Sequence, residues 1–555
     1  MQSDRTQRLN VATARTLVDA CVQAGIDHFF VAPGSRSTPL ALALAGRSDA
    51  TVVRHFDERG LAFACLGYAR ATGRCGAIIC TSGTAVANML PAVIEASLDH
   101  VPMLVLSADR PPEMRDLGHN QTIDQTRLFG EYVRWFADLP CPAEEIPSAF
   151  WSSSVFHAVT RSCDGPVHLN WMVREPFGSP PEDSPASPLV LKNDNRYRPP
   201  ASEVADWTPP SGPALVVAGG CHREEALAAR RLADRLNAPF LSDITNGVRG
   251  DLSPLLLEDR HLAAPEVIVH VGQRIVSKRW LGFLRARPPR HYIHLTRFSS
   301  RQDPALVVTE TRHGELISLC DRANTIQRTS EEFRRPWVER GLQSRAVIDE
   351  FLGRQQDLTE PGTAWELAAL LPDDSALFLG NSLSIREWDS FAFWPESRVV
   401  HVGANRGASG IDGLLGTSVG FAQGHRKRTT VVLGDLSALH DLNSLALLAS
   451  STTPIVVVLM NNDGGGIFHF LPIAEESGHF EPYFVMPHGR TFEAAARMFD
   501  IEHHAVRDLS TLRSRYRDTI ARPRTCLLEV MLDRRATRTL HEQLEHRILA
   551  AGEAS

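Results

Sequence analysis

Residues 431–468 contain two apolar runs, and a polar pair follows each run. The stretch reads VVLGDLSALHDLNSLALLASSTTPIVVVLMNNDGGGIF, with Asp435 after the first run and Asn462 after the second. Two short β-branched runs on either side of the helix formers at 438–449 predict a strand-helix-strand unit. Because parallel strands of such a unit lie side by side, we expect Asp435 and Asn462 at the same carboxyl edge of the sheet, where open α/β sheets bind ligands.

The polar groups at this edge suit a divalent cation bound to a phosphate. Magnesium prefers oxygen ligands and is commonly held by one or two protein groups together with phosphate oxygens and water. The candidate metal ligands are Asp435, the side-chain amide of Asn462 and the carbonyl of Gly464. Ser437 and nearby helix amides are candidate phosphate contacts. Such residues also end strands and begin turns, so either pair alone would favour a structural role, whereas the two together favour a magnesium-diphosphate clamp.

These residues also carry a family resemblance. A GD pair, 26 intervening residues and the second Asn of NN resemble the diphosphate-binding motif of thiamine diphosphate enzymes. Most of that superfamily has GDG, whereas this chain has GDLS. GDLSAL followed by DLN is similar to one branch, the 2-succinyl-5-enolpyruvyl-6-hydroxy-3-cyclohexene-1-carboxylate (SEPHCHC) synthases of menaquinone biosynthesis. The resemblance implies that the cofactor is bound by Gly434, Asp435, Leu436, Ser437 and Asn462.

Composition excludes several other classes of protein. Hydrophobic content of 43% and charged content of 22% are ordinary for a globular protein. With a net charge of −7 the chain lacks the excess of basic residues that is typical of nucleic-acid-binding proteins. The nine cysteines form no CxxC pair, so neither a disulfide framework nor a zinc site is indicated. The polar start MQSDRTQRLN and the lack of a membrane-length apolar run lead us to expect a cytoplasmic protein without a membrane span.

Strand-helix alternation predicts an α/β protein with three α/β domains, each built on a parallel sheet. A chain of 555 residues is also too long for one hydrophobic core. We place the first domain at 1–180, a Pro- and Ser-rich linker at 181–212, the second domain at 213–345 and the third at 360–555. By resemblance these are the pyrimidine-binding, central and diphosphate-binding domains of the thiamine diphosphate fold.

A carboxylate lies at the start of another predicted helix, in HFDERGLAFACLGYARATG at 55–73. Leu61, Cys65 and Tyr68 follow helical spacing, which puts Glu58 in the first turn. An acid there is often only a helix-dipole partner. The stretch is similar, however, to the segment that carries the activating glutamate of thiamine diphosphate enzymes. The resemblance therefore implies that Glu58 hydrogen-bonds the N1′ nitrogen of the cofactor and drives its aminopyrimidine to the imino tautomer.

Further blocks extend the resemblance along the chain: VAPGSRSTPL, SADRPPEMRDLGHNQTIDQ, SKRW, GNSLSIR and NRGASGIDG. The synthases use 2-oxoglutarate and isochorismate, which carry two carboxylates each, and guanidinium groups bind carboxylates in bidentate fashion. The resemblance assigns 2-oxoglutarate to Ser382, Arg386 and Arg406. It assigns isochorismate to Ser35, Arg36, Lys278 and Arg279. Each of these charged residues could instead form a surface salt bridge. For Lys278 this alternative is about as well supported as substrate binding.

The resemblance implies further contacts around the reacting atoms. The loop of the second block offers Arg110, Asn120 and Gln121, and Gln121 is a candidate for proton transfer. Additional cofactor contacts are Ser82, Gly83, Gly410 and Ile411, with Ile411 supporting the bent conformation of the cofactor. An apolar wall over the thiazolium and the substrate would come from Ile467, Phe468 and Leu471. Ordinary core packing explains the apolar residues equally well.

The reaction implied by the resemblance needs thiamine diphosphate and Mg2+, with Mn2+ as an alternative ion. It decarboxylates 2-oxoglutarate and adds the succinyl-semialdehyde carbanion to isochorismate, giving SEPHCHC and CO2. In such enzymes the activating glutamate and the diphosphate clamp usually come from different subunits, which implies a homodimer or homotetramer with active sites at the subunit interface.

Two alternatives stay open. An acetohydroxyacid synthase type of carboligase would act on another 2-oxo acid, but it predicts an FAD site and GDG, and neither is evident. A non-catalytic relative would keep the fold alone, but Glu58, Asp435 and Asn462 are all present.

Overall fold

The computed structural model describes residues 2–178, 204–325, 328–475 and 478–552. Within these residues the strands form three sheets, and every pairing that holds them together is parallel. The prediction of an α/β protein with three parallel-sheet domains is therefore confirmed. Residues 181–203 of the predicted linker lie outside the described residues, and the predicted domain boundaries remain predictions.

The first sheet has the order β2-β1-β3-β4-β6-β5. Its strands are β1 (His28–Val31), β2 (Thr51–Arg54), β3 (Gly76–Cys80), β4 (Met103–Asp109), β5 (Phe136–Leu139) and β6 (Pro166–Met172). Its helices are α1 (Gln2–Gln23), α2 (Thr38–Leu44), α3 (Glu58–Thr72), α4 (Thr84–Ala87), α5 (Leu90–Leu98) and α6 (Ser148–Arg161). Every residue of β3, β4 and β6 is buried, as expected for central strands covered on both faces.

The second sheet has the order β11-β10-β9-β7-β8. Its strands are β7 (Ala214–Ala218), β8 (Phe240–Ser242), β9 (Val267–Val271), β10 (His291–Thr296) and β11 (Glu310–His313). The helices of this region are α7 (Arg223–Leu236), α8 (Lys278–Ala286), α9 (Leu316–Asp321) and α10 (Glu331–Gly353).

The third sheet has the order β13-β12-β14-β15-β17-β16. Its strands are β12 (Ser375–Leu379), β13 (Val400–Gly403), β14 (Thr429–Gly434), β15 (Ile455–Asn461), β16 (Glu502–Val506) and β17 (Cys526–Met531). The remaining helices are α11 (Glu360–Leu370), α12 (Leu383–Phe391), α13 (Leu414–His425), α14 (Asp435–His440), α15 (Leu445–Ala449), α16 (Glu493–Met498), α17 (Leu509–Ala521) and α18 (Arg534–Ala550). No helix in the described ranges is long and apolar enough to cross a membrane.

The chain divides into two compact units. One contains the described residues of Met1–Arg198 together with Asn405–Arg426 and Ser437–Pro454, and the other contains the described residues of Pro199–Ala404, Lys427–Leu436 and Ile455–Ser555. We call them the first unit and the second unit and describe each by itself.

The stretch of helix formers at 438–449 lies between β14 and β15 as helices, but it is divided in the structure. α14 ends at His440, a 3₁₀ turn covers Leu442–Ser444, and α15 follows. The buried carboxylate of Asp441 explains the break, because it accepts hydrogen bonds from Ser444 Oγ at 2.8 Å and from the backbone N–H of Gly416 at 3.0 Å. Burial raises the pKa of Asp441 to about 6.

Glycines allow α3 and α13 to pack backbone to backbone in the first unit. A Cβ atom on Gly420 would lie 1.8 Å from the carbonyl oxygen of Ala64, and one on Gly67 would lie 1.9 Å from that of Thr417. Neither contact is possible for a larger residue, because real Cβ atoms do not approach backbone so closely. These glycines therefore allow the close approach of the middle of α3 to α13.

We expect Gly420→Ala to lower the free energy of unfolding by about 1–3 kcal/mol or more, because the two helix backbones must separate. Gly282→Ala is the matched control, since Gly282 also lies inside a helix and a Cβ there meets nothing within 4 Å. Its alanine should stabilise the helix by about 0.5–1 kcal/mol. Urea denaturation measures both, and equal effects of the two substitutions would contradict the packing argument.

A buried histidine makes the second unit sensitive to acid. His270 Nδ1 lies 2.7 Å from the Tyr292 hydroxyl and Nε2 lies 2.9 Å from the carbonyl oxygen of Gln273. Burial, assisted by the neighbouring His294, lowers the pKa of His270 to about 3 from an ordinary value of 6.5. Below pH 6.5 the unfolded chain binds a proton that the folded chain refuses, so stability is lost as the pH falls from 6.5 towards 3.

We therefore expect the unfolding free energy of the native protein to contain a contribution from His270 that falls by about 2 kcal/mol between pH 7 and pH 5. His270→Gln does not titrate in this range and should remove that part of the pH dependence, whatever its effect on stability at pH 7. Urea denaturation at the two pH values measures the difference. An unchanged pH dependence in the variant would show that His270 is not the group responsible.

Candidate cofactor and substrate site

In-register pairing brings Asp435 and Asn462 to one edge of the third sheet. β14 pairs with β15 over its whole length, and Gly434 faces Met460 at the last step. Asp435 directly follows β14 and Asn462 directly follows β15. The two polar side chains are therefore neighbours at the carboxyl ends of adjacent strands. Ser437 lies buried within α14, on the part of that helix assigned to the first unit.

Asp435 is only 2% exposed, and both of its carboxylate oxygens have partners. Oδ1 accepts a hydrogen bond from the backbone N–H of Leu436 at 2.6 Å, and Oδ2 accepts one from the backbone N–H of Gly464 at 2.9 Å. The Nε2 atom of His488 lies 3.2 Å from the same Oδ2. Burial raises the pKa of Asp435 even though these contacts oppose the shift. A bound cation would offset the cost of burying this charge.

Asn462 presents an oxygen that suits a metal ion. Its Nδ2 donates to Glu360 Oε1 at 2.7 Å, whereas its Oδ1 is buried and has no hydrogen-bond partner among the residues that the structure describes. A buried amide oxygen left unpaired is costly, and a hard cation would satisfy it. The residues at this edge therefore fit a magnesium ion.

The three glycines after Asn462 allow the backbone to pass close to other chain segments. Gly464 has φ +128°, and a Cβ there would lie 2.2 Å from the carbonyl oxygen of Val485. A Cβ on Gly466 would lie 2.6 Å from Asn462 Nδ2. Any side chain at these positions would displace the turn or the metal-ligand candidate.

The apolar wall follows in a 3₁₀ turn, Gly466–Phe470. The side chains of Ile467, Phe468 and Leu471 are each only partly buried, so these residues are not ordinary core residues. The Phe468 ring packs edge-on against Phe484, with centroids 5.7 Å apart. Such a partly buried apolar face can still cover a bound ring.

Two substrate candidates of the second unit lie at the start of α12. Ser382 has φ +72° and precedes the helix. The guanidinium of Arg386 donates to the carbonyl oxygen of Ser382 through Nη1. This contact holds the arginine against the turn at the carboxyl end of β12.

Two other candidates of that unit begin α8. Lys278 is exposed. Arg279 pairs with Glu545 at 2.9 Å and with Glu258 at 3.3 Å. Substrate binding by Arg279 would require an exchange of these partners, so its assignment to isochorismate stays a prediction.

In the first unit, Glu58 is the first residue of α3. The preceding Asp57 caps the helix by accepting hydrogen bonds from the backbone N–H groups of Arg59 at 3.0 Å and Gly60 at 3.4 Å. The carboxyl of Glu58 is partly exposed, and its charge adds to burial in raising the pKa of the Cys80 thiol. Glu58 therefore lies beside the carboxyl end of β3, where Ser82 and Gly83 follow.

The structure brings the predicted residues of two loops together there. Ser82 Oγ accepts from Arg110 Nη1 at 2.8 Å and donates to the carbonyl oxygen of Gln121 at 3.2 Å. Gln121 Nε2 donates to the Ser82 carbonyl oxygen at 3.1 Å, and Arg110 Nη2 donates to that of Asn120 at 2.6 Å. Gly83 has φ +85°, and a Cβ there would lie 2.8 Å from Gln121 Cγ.

A buried polar network lies behind these loops. Gln125 Oε1 accepts from the backbone N–H of Gly83 at 2.8 Å, and Gln125 Nε2 donates to Asn170 Oδ1 at 2.7 Å. Asn170 Nδ2 donates to Asp109 Oδ2 at 2.8 Å, and Arg115 pairs with the same carboxylate at 2.6 Å. This network of buried hydrogen bonds holds both loops in place.

Arg36 is buried close to a second cation. Its guanidinium donates to the carbonyl oxygen of Val173 and to Glu175 Oε1, the latter at 3.1 Å. Burial, together with the nearby charge of Arg110, lowers the pKa of Arg36 to about 10. The carboxylates of Glu175 and Asp109 offset part of the repulsion between these two guanidiniums, and a substrate carboxylate would offset more of it. The adjacent Ser35 is exposed.

A single buried carboxylate holds the loop that carries Arg406. Glu95 accepts hydrogen bonds from the backbone N–H groups of Gly407 at 2.7 Å, Ala408 at 2.6 Å and Ser409 at 3.3 Å. Arg406 precedes this clamp and is partly buried, and Gly410 and Ile411 follow it. Ile411 is 39% exposed, so core packing alone does not explain it.

Sequence reasoning missed four residues of this arrangement, namely Glu95, Gln125, Glu360 and His488. Glu360 alone had a local signal, since Thr-Glu-Pro is typical of a helix start. The other three act on partners that are distant in the chain, and no local pattern indicates such contacts.

The sequence matches three family models in succession. They are described as the N-terminal TPP-binding domain of thiamine pyrophosphate enzymes at residues 11–128, the middle domain of thiamine pyrophosphate at 191–379, and the C-terminal TPP-binding domain of thiamine pyrophosphate enzymes at 399–530. Together with the three parallel sheets, these matches identify the cofactor as thiamine diphosphate.

Curated relatives align with nearly the whole chain, and those described below are named 2-succinyl-5-enolpyruvyl-6-hydroxy-3-cyclohexene-1-carboxylate synthase. The relative from Rubrobacter xylanophilus is 42% identical over 98% of this chain and 99% of its own. The relative from Salinibacter ruber is 40% identical over 95% of each chain, and that from Chlorobium phaeovibrioides is 36% identical over 99% of each. The chain therefore belongs to the SEPHCHC synthase family of thiamine diphosphate-dependent enzymes.

Proposed function

We propose that this protein decarboxylates 2-oxoglutarate and adds the remaining four-carbon unit to isochorismate, giving SEPHCHC and CO2 in menaquinone biosynthesis. The observation that carries the proposal is full-length similarity to synthases of this name. The buried carboxylates, unpaired amide oxygen and grouped guanidiniums of the two units support it. On the family resemblance, the working form is a homodimer or homotetramer.

The residues that follow β14 and β15 hold the cofactor through its metal and diphosphate. Asp435, Asn462 Oδ1 and the Gly464 carbonyl coordinate Mg2+, and Mn2+ accepts the same oxygen ligands. The unpaired state of Asn462 Oδ1 is the observation that supports this assignment. Gly434, Leu436 and Ser437 supply backbone and hydroxyl contacts to the diphosphate. Ile467 and Phe468 exclude water from one side of the reacting ring.

Thiamine diphosphate, when bound, supplies the nucleophilic carbon and the electron sink that decarboxylation of a 2-oxo acid requires. Glu58 holds a proton at the N1′ nitrogen, because a carboxyl group hydrogen-bonded there favours the imino tautomer. Its position at the first residue of α3, capped by Asp57, keeps the carboxyl at a defined place. The exposed side chain of Ile411 contacts the cofactor and supports its bent conformation.

The substrates are recognised by their carboxylates. Arg386, Arg406 and Ser382 bind 2-oxoglutarate, while Ser35, Arg36, Lys278 and Arg279 bind isochorismate. The closeness of Arg36 to Arg110 supports an anion at that place. Gln121 contacts the reacting atoms together with Asn120, and its hydrogen bonds to Ser82 hold it in position.

The proposed reaction is tested by incubating the protein with thiamine diphosphate, Mg2+, 2-oxoglutarate and isochorismate. We expect isochorismate consumption and CO2 release in equal amounts. Replacing 2-oxoglutarate by pyruvate tests the alternative carboligase, and we expect no comparable turnover. Turnover with pyruvate alone, or no consumption of isochorismate by cofactor-loaded protein, would contradict the proposal.

Glu58→Gln should bind thiamine diphosphate and lose about 10²–10⁴-fold in turnover, because an amide cannot hold the proton at N1′. Cofactor binding is measured by calorimetry and turnover by isochorismate consumption. Asp57→Asn is the control, since it changes the cap of the same helix turn but leaves Glu58 in place. Full activity of Glu58→Gln would refute the role of Glu58.

A further inference from the structure

The amide of Asn462 is held from behind by one buried carboxylate. Glu360 Oε1 accepts a hydrogen bond from Asn462 Nδ2 at 2.7 Å, and both residues lie in the second unit. We propose that Glu360 is a positioning residue that orients the Asn462 amide, with its oxygen towards the metal ion, and thereby sets the affinity of the site for that ion. This inference rests on the proposed metal site.

The orientation follows from the donor and acceptor groups involved. A side-chain amide has a donor end and an acceptor end, and only the donor end can pair with an oxygen that accepts a hydrogen bond. Because Glu360 Oε1 accepts from Asn462 Nδ2 at 2.7 Å, the amide oxygen is turned the other way. The structure agrees, because Asn462 Oδ1 is the end that is buried without a partner among the described residues.

Glu360 itself is held at a defined place. It is the first residue of α11, and the preceding Thr359 caps that helix by accepting from the backbone N–H of Gly362 at 3.2 Å. The backbone N–H of Glu360 donates to Thr537 Oγ1 at 3.4 Å. The backbone at Glu360 is thus held by contacts within α11 and from α18, which gives its side chain a defined starting point.

A helix-dipole role does not explain this carboxylate. An acid in the first turn of a helix gains only about 0.3–2 kcal/mol from the dipole, and it gains part of this when it is exposed to water, so the dipole role does not require burial. Glu360 is 2% exposed, and burying an acid costs free energy. The hydrogen bond to Asn462 is the interaction that this burial makes possible.

The charges around Glu360 also favour a cation. Asp435 and Glu387 are both buried, and each interacts electrostatically with Glu360. Three buried acids in one region repel one another. A divalent ion bound between Asp435 and Asn462 would offset this repulsion.

The experiment measures Mn2+ affinity directly, in the full-length protein saturated with thiamine diphosphate, from the free Mn2+ signal in electron paramagnetic resonance. Glu360→Met keeps the approximate volume but removes the acceptor, and it should weaken Mn2+ binding about 10–100-fold. Glu360→Gln keeps an acceptor oxygen for Asn462 Nδ2 and should bind Mn2+ nearly as well as the native protein. This rescue distinguishes positioning from loss of charge.

Glu366→Gln is the matched control. Glu366 lies on the same helix and pairs with Arg513 at 2.6 Å, away from Asn462. Its substitution should leave Mn2+ affinity unchanged. Thermal unfolding without metal and cofactor verifies that each variant is folded before its affinity is compared.

Native Mn2+ affinity in Glu360→Met would overturn the inference, and so would equal weakening in Glu360→Met and Glu360→Gln. Asn462→Ala separates this inference from the proposed function. If Asn462→Ala binds Mn2+ as the native protein does, the proposed metal site itself is wrong. If Asn462→Ala binds weakly while Glu360→Met binds normally, the metal site stands and only the role of Glu360 fails.

Discussion

In-register parallel pairing of β14 with β15 is the constraint on which the cofactor half of the site depends. The pairing places Asp435 and Asn462 at adjacent strand ends, so that the two candidate oxygen ligands of the proposed metal site are neighbours without a dedicated loop. A shift of one residue in either strand would turn its side chains to the opposite face of the sheet. The glycine turn beyond Asn462 then brings the backbone N–H of Gly464 onto Asp435. The clamp is thus a consequence of strand register.

Buried carboxylates and amides organise the rest of the site by accepting or donating to backbone groups. Glu95 collects three successive N–H groups of the Arg406 loop, and Gln125 holds Gly83. Glu360 accepts instead from a side chain, the amide of Asn462. Such groups are costly to bury unless they are fully paired. Their pairing gives each functional loop one well-defined conformation rather than several.

Much of the fold and part of the site could be predicted from local patterns. The strand-helix-strand unit at 431–468 and the helix start at Glu58 both follow from periodicity and capping, which involve neighbours in the chain. The division of the helix after His440 could not be predicted, because Asp441 bonds Gly416 from another segment. The ion pairs of Arg279 with Glu258 and Glu545 could not be predicted either, because charge pairs between distant segments leave no local pattern in the sequence.

The sequence by itself determined the α/β class and the family, and it named the candidate clamp residues, because these depend on residue identity at short spacing. Only the tertiary structure decided which polar atoms remain unpaired. Asn462 Oδ1 is left without a hydrogen bond because Glu360, 102 residues earlier in the chain, occupies the other end of the amide. The difference between the paired and the unpaired end of the amide arises because separate elements pack around this side chain. Burial makes the unpaired oxygen costly in free energy.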